Sequence, residues 1–337
     1  MQQFEYDNKM IIPFSVSWEI TSRCNLNCAY CHHFFEKYKE ITFQQALLLI
    51  QNLIKNDIFE LTITGGEPLL RKDLLNIMSY AIDHGLGINL VTNGTLITNE
   101  IARKLSKYDI YVTISLDGSS SQINDALRGL GTFKKIIKAC LMLREAGVRF
   151  HLLATICYKN IADINRLAKL SNDLGAHILT INTVLPIKGR IKYSLAPFDF
   201  YFLLNQVIRI RKDGYAISVD EHMRPFLSIL TGSKLGTCPA AKYTCAITSN
   251  GKIKPCQALS IISKNNLFEK SFSEIWINDI NLNKFRKMRS PRTCRLCKCY
   301  ELCGGGCRAS SFAKYGCLSY PDPRCWIFYN STIKREK

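Results

Sequence analysis

The sequence predicts an α/β fold: a partial (β/α)6 barrel of the TIM type, followed by a small C-terminal cysteine-rich domain. Short β-rich runs alternate with helical periodicity from residue 14 to about residue 213. Polar or glycine-rich motifs close four consecutive runs. Beyond about residue 230 the periodicity fades, and glycine and cysteine rise.

The β-rich runs are "FSVSWEI" (14–20), "FELTIT" (59–64), "GINLVT" (87–92), "DIYVTISLD" (109–117), "VRFHLLATIC" (148–157) and "HILTINTV" (177–184). Between them lie amphipathic stretches such as "TFQQALLLIQNLIKN" and "TFKKIIKACLMLREAG", several ending in Gly or Asn as helix stops do. Such alternation gives βαβ units and a parallel sheet, either open or closed into most of a barrel. The strand ends choose. "CNLNCAYC" follows the first strand, "GGEP" the second, "TNG" the third and "SLDG" the fourth. A parallel barrel collects its active site at the carboxyl ends of many strands, whereas an open sheet concentrates it at one switch point. This organisation divides the chain into an N-terminal extension (1–13), the barrel (14–213), a bridging region (214–233) and the cysteine-rich domain (234–337). In the last, "TSNGKIKPC" (248–256) reads as a hairpin turn entering a cysteine.

The chain has 337 residues, 47% hydrophobic and 21% charged, the composition of a soluble globular enzyme. The N-terminus lacks a signal peptide's apolar segment and no run approaches a membrane span, so a cytoplasmic protein is expected. Fifteen cysteines in a reducing compartment argue for metal rather than disulfides. All but Cys140 and Cys157 fall within 24–31 and 238–325. The formal charge of +18 raises the possibility of nucleic acid, but the cations are dispersed and lack the aromatic interleaving of a stacking platform. A nucleic-acid-binding zinc protein would also leave GGEP and the other strand-end motifs unexplained. The densest basic stretch, "KFRKMRSPRTCR" (284–295), is either a solvated face or a docking patch for an acidic partner.

Cys24, Cys28 and Cys31 supply three ligands of a tetrahedral set. By themselves they fit a zinc site completed by His32 or His33, or a [4Fe–4S] cluster with one iron left open. The C-x3-C-x2-C motif with Tyr30 before its last cysteine, followed by GGEP, resembles the radical S-adenosylmethionine (SAM) superfamily over about residues 14–213. The resemblance implies that SAM takes the open iron through its amino and carboxylate groups. It implies contacts from Gly65, Gly66 and Glu67 to the SAM amino group, and from Asn93, Ser115, Asp117 and Arg128 to its ribose and carboxylate. The C-terminal cysteines resemble the SPASM domain, a module carrying auxiliary clusters. By that resemblance Cys238, Cys245, Cys256 and Cys307 hold one [4Fe–4S] cluster, and Cys294, Cys297, Cys303 and Cys325 another, giving three clusters in all. A pair of zinc sites is the rival reading of the same spacing.

The family's reaction is reductive cleavage of SAM to a 5′-deoxyadenosyl radical, which abstracts hydrogen from a substrate. The expected substrate is a ribosomally made peptide, modified by cross-linking, dehydrogenation or epimerisation; an electron donor of the flavodoxin or ferredoxin type and an acidic leader would suit the basic surface. Only about thirteen residues precede the first strand, so a leader would need a partner protein or the enzyme's own surface. Sulfatase-maturating relatives are the nearest alternative, but they tend to carry an Asp after the third auxiliary cysteine, where this chain has Gln257. A radical dehydrogenase or epimerase of a sugar-like small molecule is a further alternative. Cys157 ends the fifth strand on the face of Leu153 and Thr155; facing inward, it would be a candidate hydrogen-atom donor, against the competing reading of core packing. Cys140 reads as a core residue of an amphipathic helix, and Cys299 and Cys317 as spectators among the ligands.

Overall fold

A computed structural model describes residues 12–31, 38–186 and 190–333. The candidate zinc ligands His32 and His33 lie outside the described residues.

Among the described residues nine strands form one sheet in the order β7-β6-β5-β4-β3-β2-β1-β8-β9. They are β1 (Ser15–Thr21), β2 (Glu60–Gly65), β3 (Gly87–Thr92), β4 (Tyr111–Ser115), β5 (Phe150–Ile156), β6 (Leu179–Thr183), β7 (Ile217–Val219), β8 (Thr244–Ile247) and β9 (Ile253–Lys254). All neighbours pair in parallel except β8 and β9, which form an antiparallel hairpin. The helices α1 (Phe43–Ile54), α2 (Leu74–Asp83), α3 (Asn99–Leu105), α4 (Ser121–Arg128), α5 (Thr132–Glu145), α6 (Ile164–Asp173) and α7 (Pro197–Lys212) connect successive strands, as crossovers between parallel neighbours require.

The six expected strands form the middle of the sheet. Its flanks come from elsewhere. β7 lies in the bridging region, followed by α8 (Arg224–Thr231), and β8 comes from the cysteine-rich region to pair with β1, Val16 opposite Cys245. The partial barrel and the cysteine-rich region therefore share one hydrogen-bonded sheet. Glu19 on β1 and Lys254 on β9, both buried, approach to 3.6 Å across that junction. The remaining chain adds short helices α9 (Phe272–Asn278), α10 (Ile280–Arg286), α11 (Arg292–Arg295), α12 (Tyr300–Cys303), α13 (Arg308–Tyr315) and α14 (Trp326–Ile333).

Strand periodicity explains why the fold is hollow on one side. Val16 and Trp18, Leu61 and Ile63, Val112 and Ile114, and Leu152 and Ala154 are fully buried in the main core, which also holds Leu49, Ile50 and Leu53 of α1 and Ile77 and Met78 of α2. Each Val, Leu, Ile or Met side chain among them contributes about 1.5–3 kcal/mol of burial. The alternate positions, including Ser17, Thr62, Asn89, Thr113 and Thr180, face a central cavity. A complete barrel fills that space with bulky aliphatic side chains. Here it is lined by small polar ones and stays open.

Local signals mark where the helices start. Thr42 and Gln45 form a reciprocal capping box on α1: Thr42 Oγ1 accepts from Gln45 N at 3.3 Å, and Gln45 Oε1 accepts from Thr42 N at 2.9 Å. Among the described residues no helix is long and apolar enough to cross a membrane.

Candidate active site

The central cavity, about 600 Å³, lies against the polar strand face, and the loops at the strands' carboxyl ends help enclose it. The loop after β1 brings Cys24, Cys28, Tyr30 and Cys31 to its wall. Ala29 N donates to Leu127 O of α4 at 2.8 Å, and Cys31 N to Cys28 O at 3.1 Å, which pins the loop. The Asn93 amide is within 3.9 Å of Cys24 Sγ and donates to Asn25 Oδ1 at 2.9 Å. Burial pushes the Cys28 thiol up to about 11.

Gly65 and Gly66 border the cavity, and their backbone passes close beside the end of β1. Gly66 N donates to Thr21 O and Glu67 N to Arg23 O, both at 2.8 Å. A Cβ on Gly66 would sit 2.1 Å from Arg23 O; Gly65, at φ +136°, would place one 2.3 Å from Thr21 O. The glycines thus let the exits of β1 and β2 touch, and this contact sets the root of the cysteine loop.

Glu67 does not border the cavity. It is fully buried, its Oε1 accepting from Thr92 Oγ1 at 2.7 Å and Leu69 N at 3.1 Å, and its Oε2 from Asn93 N at 2.7 Å. Its carboxylate ties the exit of β2 to that of β3. Burial raises its pKa against these hydrogen bonds.

Asn93, Ser115 and Arg128 line the cavity; Asp117 lies outside its wall. Asp117 is fully buried, and its Oδ1 accepts from Arg128 Nη2 at 3.0 Å and Thr155 N at 2.8 Å. Its Oδ2 lies 2.7 Å from Arg128 Nε and accepts from the Tyr30 hydroxyl. The carboxylate that the Arg128 fork holds is thus one of the chain's own. Burial opposes the Arg128 charge, and Asp117 more than restores it, so the guanidinium titrates above its usual value. Cys157 sits one residue beyond β5, fully buried in a small cluster with Leu127, Val184, Tyr30 and Tyr193 rather than in the cavity wall. Its thiol is raised by burial. Cys140 is buried in the main core on α5.

The C-terminal cysteines separate into two places. Cys238, Cys245, Cys256 and Cys307 border the same central cavity as the β1 loop. Cys294, Cys297, Cys303 and Cys325 border a second cavity of about 490 Å³, joined there by Cys299, while Cys317 is exposed. Burial pushes Cys307 and Cys294 up to about 11 and Cys325 up to about 12, and raises Cys245 and Cys256 further. Such thiols are neutral until a cation pays for the thiolate, so the donor set fits metal-bound thiolate sites. Among the described residues no three or more His, Cys, Asp or Glu side chains converge on a single-ion site; the sulfurs border cavities with room for a multi-iron group.

Sequence reasoning missed one part of the wall. Asp220, Glu221 and His222 follow β7 and border the cavity, with Thr183 at the end of β6. The available signal was "ISVDEH", two β-branched residues flanking a serine and followed by three titratable residues at a strand's carboxyl end. It sat in a stretch read as a bridge.

Thiol loops and a polar cavity at the carboxyl ends of parallel strands define an iron–sulfur α/β enzyme. The chain belongs to the radical SAM superfamily, whose family model matches residues 18–171. A second model, described as an iron-sulfur cluster-binding domain (SPASM), matches residues 238–300. The chain is 30% identical to mycofactocin maturase MftC of Mycobacterium tuberculosis (strain ATCC 25618 / H37Rv), across 95% of this chain and 85% of that protein. It is 29% identical to an AdoMet-dependent heme synthase of Methanosarcina barkeri, across 93% and 96%. In fold it is similar to SuiB of Streptococcus suis bound to S-adenosylmethionine, with a TM-score of 0.80, 22% identity and coverage of 93% and 77%. It is an enzyme that binds SAM at an iron–sulfur cluster and carries auxiliary iron–sulfur chemistry in its C-terminal domain.

Proposed function

We propose that this enzyme oxidises a ribosomally made peptide, forming a cross-link or a dehydrogenated residue. The observation that carries the reading is that one cavity runs from the Cys24/Cys28/Cys31 loop to Cys238, Cys245, Cys256 and Cys307. A substrate there lies between the site of hydrogen removal and an electron acceptor. The first set would hold the SAM-binding cluster and the second an auxiliary one. Cys294, Cys297, Cys303 and Cys325 would hold a third. When bound, SAM and its cluster supply the radical that removes a hydrogen atom from the substrate.

The chain's own residues bind and orient. Gly65 and Gly66 offer backbone to the SAM amino group, with Glu67 fixing that backbone from below. Asn93 and Ser115 offer polar contacts, and Asp117 holds Arg128 and Tyr30 in place. The hydroxyl and amide side chains of the wall, among them Ser17, Thr62, Asn89 and Thr180, suit a polar peptide segment. Cys157, sealed away from the cavity, favours oxidation over epimerisation. Gln257, which also borders the cavity, cannot serve as a base, and this disfavours sulfatase maturation. A flavodoxin- or ferredoxin-type donor suits the exposed cations of the 284–295 stretch, which runs past Cys294 of the second cavity.

The similarity to a heme synthase across nearly its whole length favours a second reading, a tetrapyrrole substrate. Heme carries carboxylates, and the guanidiniums bordering the cavity are already engaged. Arg128 holds Asp117, and Arg308 donates to Ser290 Oγ and Gly304 O at 2.9 and 2.8 Å.

The test is anaerobic reconstitution with SAM, dithionite and peptides encoded beside the gene, in deuterated buffer, with peptide mass read after back-exchange. Loss of two hydrogens supports the oxidative reading. Retention of one non-exchangeable deuterium would mean epimerisation and return attention to Cys157. No change in any peptide, with conversion of a tetrapyrrole, would establish the second reading. Three clusters require about twelve irons per chain.

A further inference from the structure

Oxidation of a C–H bond to a cross-link or a double bond releases a proton as well as an electron, and Gln257 cannot take it. The cavity wall holds another group that can. His222 Nδ1 lies 2.8 Å from Asp220 Oδ1, and its Nε2 lies 3.0 Å from Thr183 Oγ1. All three residues border the cavity, and the His222 side chain is 15% exposed.

Hydrogen-bond logic fixes the tautomer. Arg324 Nη1 donates to Thr183 Oγ1 at 3.0 Å, and an arginine only donates. The Asp220 carboxylate only accepts, so in the neutral ring Nδ1 carries the proton toward Asp220 Oδ1 and Nε2 accepts the Thr183 hydrogen, while the hydroxyl oxygen accepts from Arg324. The imidazole is thus oriented by a carboxylate, with its basic nitrogen turned to a hydroxyl in the cavity wall.

We propose that His222 is the proton acceptor for substrate oxidation, with Thr183 as relay and Asp220 as the positioning residue. This rests on the oxidative reading above. After the hydrogen atom has left, the substrate gives one proton to Thr183 Oγ1 as Thr183 passes its own hydrogen to His222 Nε2. The electron leaves to a one-electron acceptor of the iron–sulfur class, and the new bond of the product forms. Overall the substrate has lost two hydrogens, one as an atom and one as proton plus electron.

The two exits are neighbours. Arg324, which holds Thr183, forms a buried pair with Asp322 at 2.8 Å, and Asp322 Oδ2 accepts from the Cys307 backbone N–H at 2.9 Å. Cys307 borders the same cavity. The charged groups acting on this site are Asp220 and Glu221 from its own turn, Arg224 at the start of α8, Glu60 on β2 beside Glu221, and Arg324 through Thr183.

Two measurements test it. The first needs no substrate: diethyl pyrocarbonate modification of His222 in cluster-loaded enzyme, read by peptide mass between about pH 5.5 and 8. Modification should rise with pH, with a midpoint that moves to lower pH in Asp220→Asn as the anion is lost. A His222 that stays unmodified throughout, or a midpoint indifferent to Asp220→Asn, overturns the proposal whatever the substrate proves to be.

The second measures oxidised product per 5′-deoxyadenosine. His222→Gln should lower this ratio about a hundredfold, the range of a lost general base. The native enzyme's ratio should fall at acid pH as the base is protonated, the variant should lack that fall, and added imidazole should restore part of the product. An unchanged ratio, or a low ratio with the acid limb intact, overturns the assignment. Failure of every peptide to be oxidised by the native enzyme would instead count against the peptide reading, and the modification experiment would still decide whether His222 is an accessible base.

Discussion

Gly66 shows how one missing side chain controls a cofactor site. The oxygen 2.1 Å from its would-be Cβ belongs to Arg23, the residue before Cys24, so Gly66→Ala must push the cysteine loop or the β2 exit aside. The expected outcome is loss of about four irons per chain on reconstitution, with the auxiliary irons retained, read by iron and sulfide analysis and by EPR. Asp117 and Arg128 are coupled in a different way. Arg128→Met leaves a fully buried carboxylate without its cation and should cost about 3–5 kcal/mol, read as a lowered unfolding midpoint of the anaerobic holoenzyme. Removing both charges, in Asp117→Asn with Arg128→Met, should recover part of that loss.

At the scale of the element, the strands work by alternation. β5 puts Phe150, Leu152 and Ala154 into the core and His151, Leu153 and Thr155 toward the cavity. His151 stands beside the Tyr111 ring at 4.8 Å and the His177 ring at 6.2 Å. Burial, then the neighbouring His177 and Arg149, holds its pKa below the usual imidazole value. Above the unfolded-state pKa the ring is neutral in both states and has no effect. As pH falls below about 6.5 the unfolded chain takes up a proton that the folded chain refuses, and stability drops. His151→Asn should therefore flatten the loss of stability between about pH 7 and 5, read from urea midpoints of variant and native protein. The polar half of this alternation was legible in "SVSW", "LTIT" and "YVTIS". Its meaning was not, because periodicity says that one face differs without saying whether that face meets water, a neighbour or a ligand.

At the scale of the whole molecule, one sheet joins the barrel strands to the cysteine-rich region, through β8 beside β1 and the Glu19–Lys254 approach. The exposed Arg292 and Arg295 flank Thr293 and Cys294, which border the second cavity, so the proposed docking of an acidic electron donor can be tested there. Replacing Arg292 and Arg295 by Glu should slow turnover driven by an acidic flavodoxin about tenfold at low salt, with a much smaller effect on dithionite-driven turnover. The difference should shrink as salt is raised, in a stopped-flow series. Equal slowing with both reductants would argue for a structural role of these arginines.

The amino-acid sequence by itself determined the order of the βα units, the helix stops at Gly or Asn and the three-cysteine loop after the first strand. These depend on periodicity and spacing between residues close along the chain, which local sterics and hydrogen bonding translate directly. Tertiary structure decided what depends on approach between distant segments. It turned Glu67 away from the cavity into three hydrogen bonds and set Arg128 on Asp117. It sealed Cys157 behind apolar side chains and divided the C-terminal cysteines between two cavities. It made strands of "ISV" and "TCAI", too short to be read alone, because the edges of β6 and β1 offered them ladders of hydrogen bonds. It also brought His222, Thr183 and Arg324 together from three separate stretches, a meeting that no spacing in the sequence encodes.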